Sequence, residues 1–206
     1  MKTFIRLCAT LLLLPFNAMA AASVELTVAG KITPDACHVI LGDEGTIDHG
    51  KIAVHHLDLD EFTPLPSRSL ALSIQCSRPM LFALVGIDDR ANSSHAPGFF
   101  YGLGTNVHAP EERLGAVALT FENPMGDNQP MQALASGDKG ETWKAQAAAA
   151  PGLYMGFALP GDRQPDFIGQ LHTQLRIDTS INARRALTLG NEVPLDGAIV
   201  LDLRYL

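Results

Sequence analysis

The sequence predicts an all-β sandwich, and three observations carry that prediction. Apolar and polar residues alternate in many short segments, as they do on half-buried strands. Gly, Pro, Asn and Asp interrupt those segments at short intervals. No stretch sustains a helical period and no βα alternation occurs, which points to a sandwich of the immunoglobulin-like kind.

Met1 to Ala20 begins with Lys2 and Arg6, runs through Leu11-Leu12-Leu13-Leu14 and closes on Ala18-Met19-Ala20. A basic start, a short apolar run and a small-residue cleavage site make residues 1–20 a secretory signal peptide. The run is too short to span a bilayer. Cleavage therefore leaves residues 21–206 as one exported domain, with Cys8 removed and only Cys37 and Cys76 remaining. In an oxidising compartment two cysteines are expected to form one disulfide, with Cα atoms about 4.4–6.8 Å apart. The alternatives fare worse, because a zinc site needs more ligands and no His–Asp pattern accompanies either thiol.

Val24, Leu26 and Val28 alternate, and the pattern continues through Gly30 to Ile32. Further strands are expected at 45–54, 69–76 (Leu70, Leu72, Ile74 and Cys76 on one face), 81–87 and 115–121. Others are expected at 154–159, 169–179 (Leu171, Leu175, Ile177) and 197–205. Ala145 to Pro151, low in complexity, reads as a short helix or a loop crossing between sheets. The C-terminal stretch places Ile199, Leu201, Leu203 and Tyr205 on one face, with Val200, Asp202 and Arg204 on the other. A terminal strand frays unless something pins it. This one calls for a partner, either the chain's own sheet or another polypeptide laid alongside.

The formal net charge is −7, and loss of Lys2 and Arg6 makes the mature chain more acidic still. Such a surface argues against nucleic acid and anionic membrane as partners. Catalytic motifs are missing as well: there is no Gly-x-Ser-x-Gly elbow, no phosphate-binding glycine loop and no His-Glu-x-x-His. His55 and His56 are neighbours and would point to opposite faces of a strand, an awkward geometry for a shared metal. No catalytic residue, cofactor or metal ligand is therefore expected. Asp88-Asp89-Arg90 with Asn92 reads as a turn cluster, and Trp143, the single tryptophan, as a buried amphipathic ring.

The stretch from Val24 to Cys37, an alternating strand with a glycine leading into the first cysteine, resembles the opening of chaperone–usher pilin subunits. Leu65-Pro66 before the strand ending at Cys76 resembles the segment carrying the second pilin cysteine. The C-terminal strand with penultimate Tyr205 resembles the pilin C-terminus, and Leu187-Thr188-Leu189 through Leu195-Asp196-Gly197 resembles the β-type fimbrial branch. Where pilins commonly carry a glycine about fourteen residues from the end, Val193 stands between Gly190 and Gly197. Residues 88–165 carry no part of the resemblance.

The resemblance implies a structural fimbrial subunit whose sandwich lacks its last strand. A periplasmic chaperone fills the open groove beside Ile199, Leu201, Leu203 and Tyr205, and at the outer-membrane usher the arm of a neighbouring fimbrial subunit replaces it. The donor arm here is residues 21–32, with Val24, Leu26 and Val28 filling pockets and Gly30 at a close approach, the alternative being that it stays as the first strand of its own sandwich. Head-to-tail contacts of this kind do not close and so build a surface filament. The alternative is a tip adhesin or sugar-binding module on the same scaffold, with residues 88–165 holding a host glycan.

Overall fold

A computed structural model describes residues 36–206, and the fold is that of the second of two compact units, Pro34–Leu206. The expected signal peptide, residues 1–20, and the expected arm residues Val24, Leu26, Val28 and Gly30 lie outside the described residues. Fourteen strands follow one another among the described residues. The first seven are β1 (Cys37–Leu41), β2 (Thr63–Pro64), β3 (Arg68–Met80), β4 (Phe82–Asp88), β5 (Tyr101–Gly102), β6 (Thr105–Asn106) and β7 (Ala109–Arg113). The rest are β8 (Gly115–Gly126), β9 (Gln129–Pro130), β10 (Gln132–Ser136), β11 (Lys144–Ala145), β12 (Tyr154–Ala158), β13 (Ile168–Ile181) and β14 (Ile199–Tyr205). Only short 3-10 turns accompany them, so the all-β architecture holds.

Two antiparallel sheets form. The first runs β1-β3-β13-β8-β5, with β2 beside β13 and β9 beside β8. The second runs β11-β10-β12-β4-β14, and β6 and β7 make a separate hairpin. The first sheet is built on period two. Leu70, Leu72 and Ile74 of β3, Val117, Leu119 and Phe121 of β8, and Leu171, Leu175 and Ile177 of β13 are all buried in one core. Leu84, Met155 and Phe157 meet them from the second sheet, and Phe121 and Phe157 pack edge to face with ring centres 5.3 Å apart. Fully burying side chains of this size contributes about 1.5–3 kcal/mol each.

The second sheet is buried on both faces over much of its length, so its sequence does not alternate. Phe82 to Val85, Ala133 to Ser136 and Met155 to Ala158 are continuous buried runs. Trp143 and Pro165 crowd the position that a Cβ on Gly156 would take, and the Trp143 indole N–H donates to Gly140 O at 2.9 Å. Of the stretch Ala145 to Pro151, Ala145 ends β11 and the rest is the crossing loop rather than a helix. Gln146 N–H reaches Ala133 O of β10, while Ala147 O and Ala149 N–H bond Phe121 and Leu119 of β8.

The strand expected at 45–54 does not form. Gly45 and Gly50 take positive φ of 72° and 65°, and the Asp48 carboxylate accepts the Gly50 N–H at 2.7 Å, a local turn that competes with a ladder. The other strands expected among the described residues are all present, and β3, β8 and β13 run longer than the sequence indicated.

Cys37 and Cys76 are joined in a disulfide that ties β1 to β3. Their Cα atoms are 3.9 Å apart, closer than expected, and the register gives the reason. Ser77 N–H bonds Ala36 O, so Cys37 and Cys76 form the closely spaced, non-hydrogen-bonded kind of antiparallel pair.

Candidate functional site

Both sheets end on one side of the sandwich in strands of five or more residues, β1 and β14. Among the described residues no strand lies beyond either of them. On β14 the Ala198 carbonyl accepts from Asp89 N–H and the Leu206 N–H donates to Leu81 O, both at 3.1 Å. Even-numbered residues of β14 therefore face β4. The N–H and C=O groups of Ile199, Leu201, Leu203 and Tyr205 point to the open edge. The same logic on β1 turns the backbone groups of Cys37, Val39 and Leu41 outward.

These are also the residues whose side chains turn inward. Ile199, Leu201 and Leu203 pack against the core, as do Cys37, Val39 and Leu41. Arg204 is exposed and pairs with Asp202. The C-terminal residues thus sit as the sequence arranged them, with one exception. Tyr205 is 49% exposed, and instead of filling the core its hydroxyl accepts the Cys37 N–H at 2.9 Å. The phenol ring is long enough to carry its oxygen across to β1. The two rims are bridged there, beside the disulfide.

Away from that bridge the sheets enclose a cavity of about 850 Å³. Its floor is the inner face of the first sheet, with Leu70, Val117, Leu119, Leu175 and Ile177, and Ile199 and Leu201 form its second-sheet side. Among the described residues no strand of the second sheet beyond β14 covers this part of the floor. Two irregular segments wall it instead: Ile47 to Ile52 after β1, and Leu187 to Leu195 before β14. Sequence reasoning missed both walls. The signal lay in Leu187, Leu189 and Leu195, read only as part of a resemblance, and in Ile47 and Ile52, read as a strand.

Polar bonds at the rim fix these walls. His49 Nε2 lies 3.1 Å from Thr179 Oγ1, a buried hydroxyl on the cavity floor. Burial and the nearby Arg68 lower the His49 pKa against the opposing pull of Asp48, which favours the neutral ring. Arg90 grips Asp196 in a bidentate pair, with Nε 2.9 Å and Nη2 3.1 Å from the two carboxylate oxygens. Glu112 accepts from the Thr188 N–H and hydroxyl, both at 2.6 Å. These bonds, the one from the hydroxyl above all, lower its pKa.

The remaining sequence candidates lie elsewhere. His55 and His56 occupy a 3-10 turn with ring centres 4.2 Å apart. Among the described residues no group of three or more His, Cys, Asp or Glu could hold a metal ion. Asp88 ends β4, and its carboxylate accepts from Arg90 N–H and Gly102 N–H, so the Asp88–Asn92 cluster is a turn that pins β5. The Tyr101 hydroxyl, buried with no hydrogen-bond partner, lies against Gly86 where no Cβ would fit.

A family model described as a protein of unknown function (DUF1120) matches residues 26–109. The matched stretch contains β1, the Ile47–Ile52 wall and β4, and stops short of β14. The chain is also similar to Protein GltF of Escherichia coli (strain K12), with 25% identity over 253 aligned residues that cover 97% of this chain and 96% of that protein.

Proposed function

We propose that this chain is an exported structural subunit of a surface fimbria, a pilin-type immunoglobulin-like sandwich completed by a strand donated from a neighbour. The observation that carries the reading is the apolar cavity beside the free edge of β14. Ile199, Leu201 and Leu203, every second residue, each offer the edge backbone groups with no partner among the described residues and turn an apolar side chain inward. An added strand is recognised in this way: its main chain pairs with the edge and its alternate side chains fill pockets. An open edge above exposed core is an aggregation hazard, so a periplasmic chaperone covers it until an outer-membrane usher exchanges it for the next subunit's arm. Val24, Leu26 and Val28 of that arm are the pocket-filling residues, and Gly30 passes where space is tight.

The test is expression with and without the cognate chaperone. The expected result is an SDS-resistant ladder that depends on the chaperone and disappears when residues 21–28 are deleted. A ladder that survives the deletion would refute donation through this arm.

A second reading, a glycan-binding module on the same scaffold, draws on residues 88–165. Phe99 there is 74% exposed and Phe100 44%, and His95 packs edge to face on Phe62 with ring centres 5.0 Å apart. Exposed aromatic faces suit a sugar ring. A glycan array probed with the purified protein separates this reading from the first, since a purely structural subunit gives no signal.

A further inference from the structure

We infer that Glu112 is a positioning residue that holds one wall of the groove in place through Thr188. The inference rests on the reading of the groove as a strand acceptor. Thr188 stands between Leu187 and Leu189, which pack on the core and line the cavity. No helix or strand is formed between Leu187 and Ala198, so side chains from elsewhere must fix the backbone. They come from the β6–β7 hairpin. Glu112 Oε1 accepts the Thr188 hydroxyl and Oε2 accepts the Thr188 N–H, each at 2.6 Å. The Asn106 amide nitrogen divides its two protons between Glu112 Oε2 at 2.8 Å and Thr188 O at 2.9 Å. Asn106 is fully buried and its oxygen accepts the His108 N–H at 3.0 Å.

Every polar group of Thr188 is thus engaged from the hairpin, and the carboxylate accepts two of the three bonds. Hydrogen bonds to an ionised acceptor are about twice as strong as neutral ones. They oppose a definite tendency. Leu187 and Leu189 border an unfilled apolar space, and collapse into it would remove apolar surface from water. A collapsed groove cannot admit a strand, and the apparent affinity falls by the fraction of molecules that stay open. Glu112 touches no incoming strand in this scheme. It keeps the acceptor open before the strand arrives.

The test uses the mature full-length chain and a synthetic peptide of residues 23–32, with association and release rates measured alongside thermal stability. Glu112→Gln should weaken peptide binding roughly tenfold, about 1.4 kcal/mol, through slower association with release unchanged. Thr188→Ser, which keeps the hydroxyl and the backbone, should bind like the wild type. Thr188→Val, which keeps the shape and loses the hydroxyl, should fall between and serves if Glu112→Gln does not fold.

Asp127→Asn is the control for a merely structural loss. Asp127 accepts from Gly169 and Gln170 N–H at 3.0 and 2.8 Å and does not line the cavity. It should lower the melting temperature and leave peptide kinetics alone. If the wild type binds the peptide and Glu112→Gln binds it equally well, the inference about Glu112 is wrong and the acceptor reading stands. Affinity lost in proportion to melting temperature in both acidic variants also overturns it. A wild type that binds no peptide overturns the acceptor reading and this inference together.

Discussion

The two lateral sides of the sandwich end differently. On the far side the edge strands β5 and β11 have two residues each. Lys144 sits on one of them, and the segment Gln146 to Ala149 crosses from β10 to β8 and bonds both sheets. Short edges, a lysine and a covering segment are the devices that blunt a sheet edge. On the near side β1 and β14 have five and seven residues, no described strand covers them, and a cavity lies between the sheets. The difference teaches where the fold is finished and where it is left open.

The largest expected effect comes from charging the open side. Leu203→Asp places an unpaired carboxylate where Leu203 packs against the core, at a cost of at least about 3 kcal/mol. Accumulation of the folded protein should be lost, and a normal yield would mean the strand faces the other way. Next comes the cross-link that holds β1 at the rim. Removing both Cys37 and Cys76 should cost about 2–4 kcal/mol, read as a lower urea midpoint. Thiol labelling of the native protein without reductant should find neither cysteine.

The closed side supplies the contrast. Ala149→Pro removes the N–H that bonds Leu119 O at 2.9 Å and should lower stability by about 1–3 kcal/mol. Uptake of a strand on the near side should be unchanged, and if it failed as well the two sides would not be independent. Smallest of all is Tyr205→Phe. It loses the single bond to Cys37 N–H, whose exposed surroundings let water take the place of the hydroxyl. A change of about 0.5–1 kcal/mol in thermal stability is expected.

The parts of this fold written in period two were legible in the sequence. β3, β13 and β14 alternate because one face is buried and the other wet, and their inward residues could be named in advance. β10 could not be, because Gln132 to Ser136 is buried on nearly every residue and shows no period. The segment 45–54 misled for the opposite reason: Ile47, Ile52 and Val54 give it apolar residues like a strand's, but the positive φ at Gly50 and the Asp48 turn break the ladder. The site was half legible. Ile199, Leu201 and Leu203 followed from alternation, whereas the walls at Ile47–Ile52 and Leu187–Leu195 are irregular backbone held by distant polar partners. Glu112 and Thr188, far apart in sequence, meet only once the hairpin folds over. Tyr205 was expected to fill the core or groove, and its reach to Cys37 instead depends on how closely the two rims approach, which no local pattern encodes.

The central claim is that β14 offers a free, patterned edge to an incoming strand, and residue-resolved amide hydrogen exchange tests it most directly. In the mature protein the amides of Val200, Asp202 and Arg204 should exchange slowly, because they face β4, while those of Ile199, Leu201 and Leu203 exchange fast. Adding the residue 23–32 peptide should slow the odd-numbered set and leave the even-numbered set as it was. Odd-numbered amides that stay fast at saturating peptide, or that are as slow as their neighbours beforehand, would contradict the account.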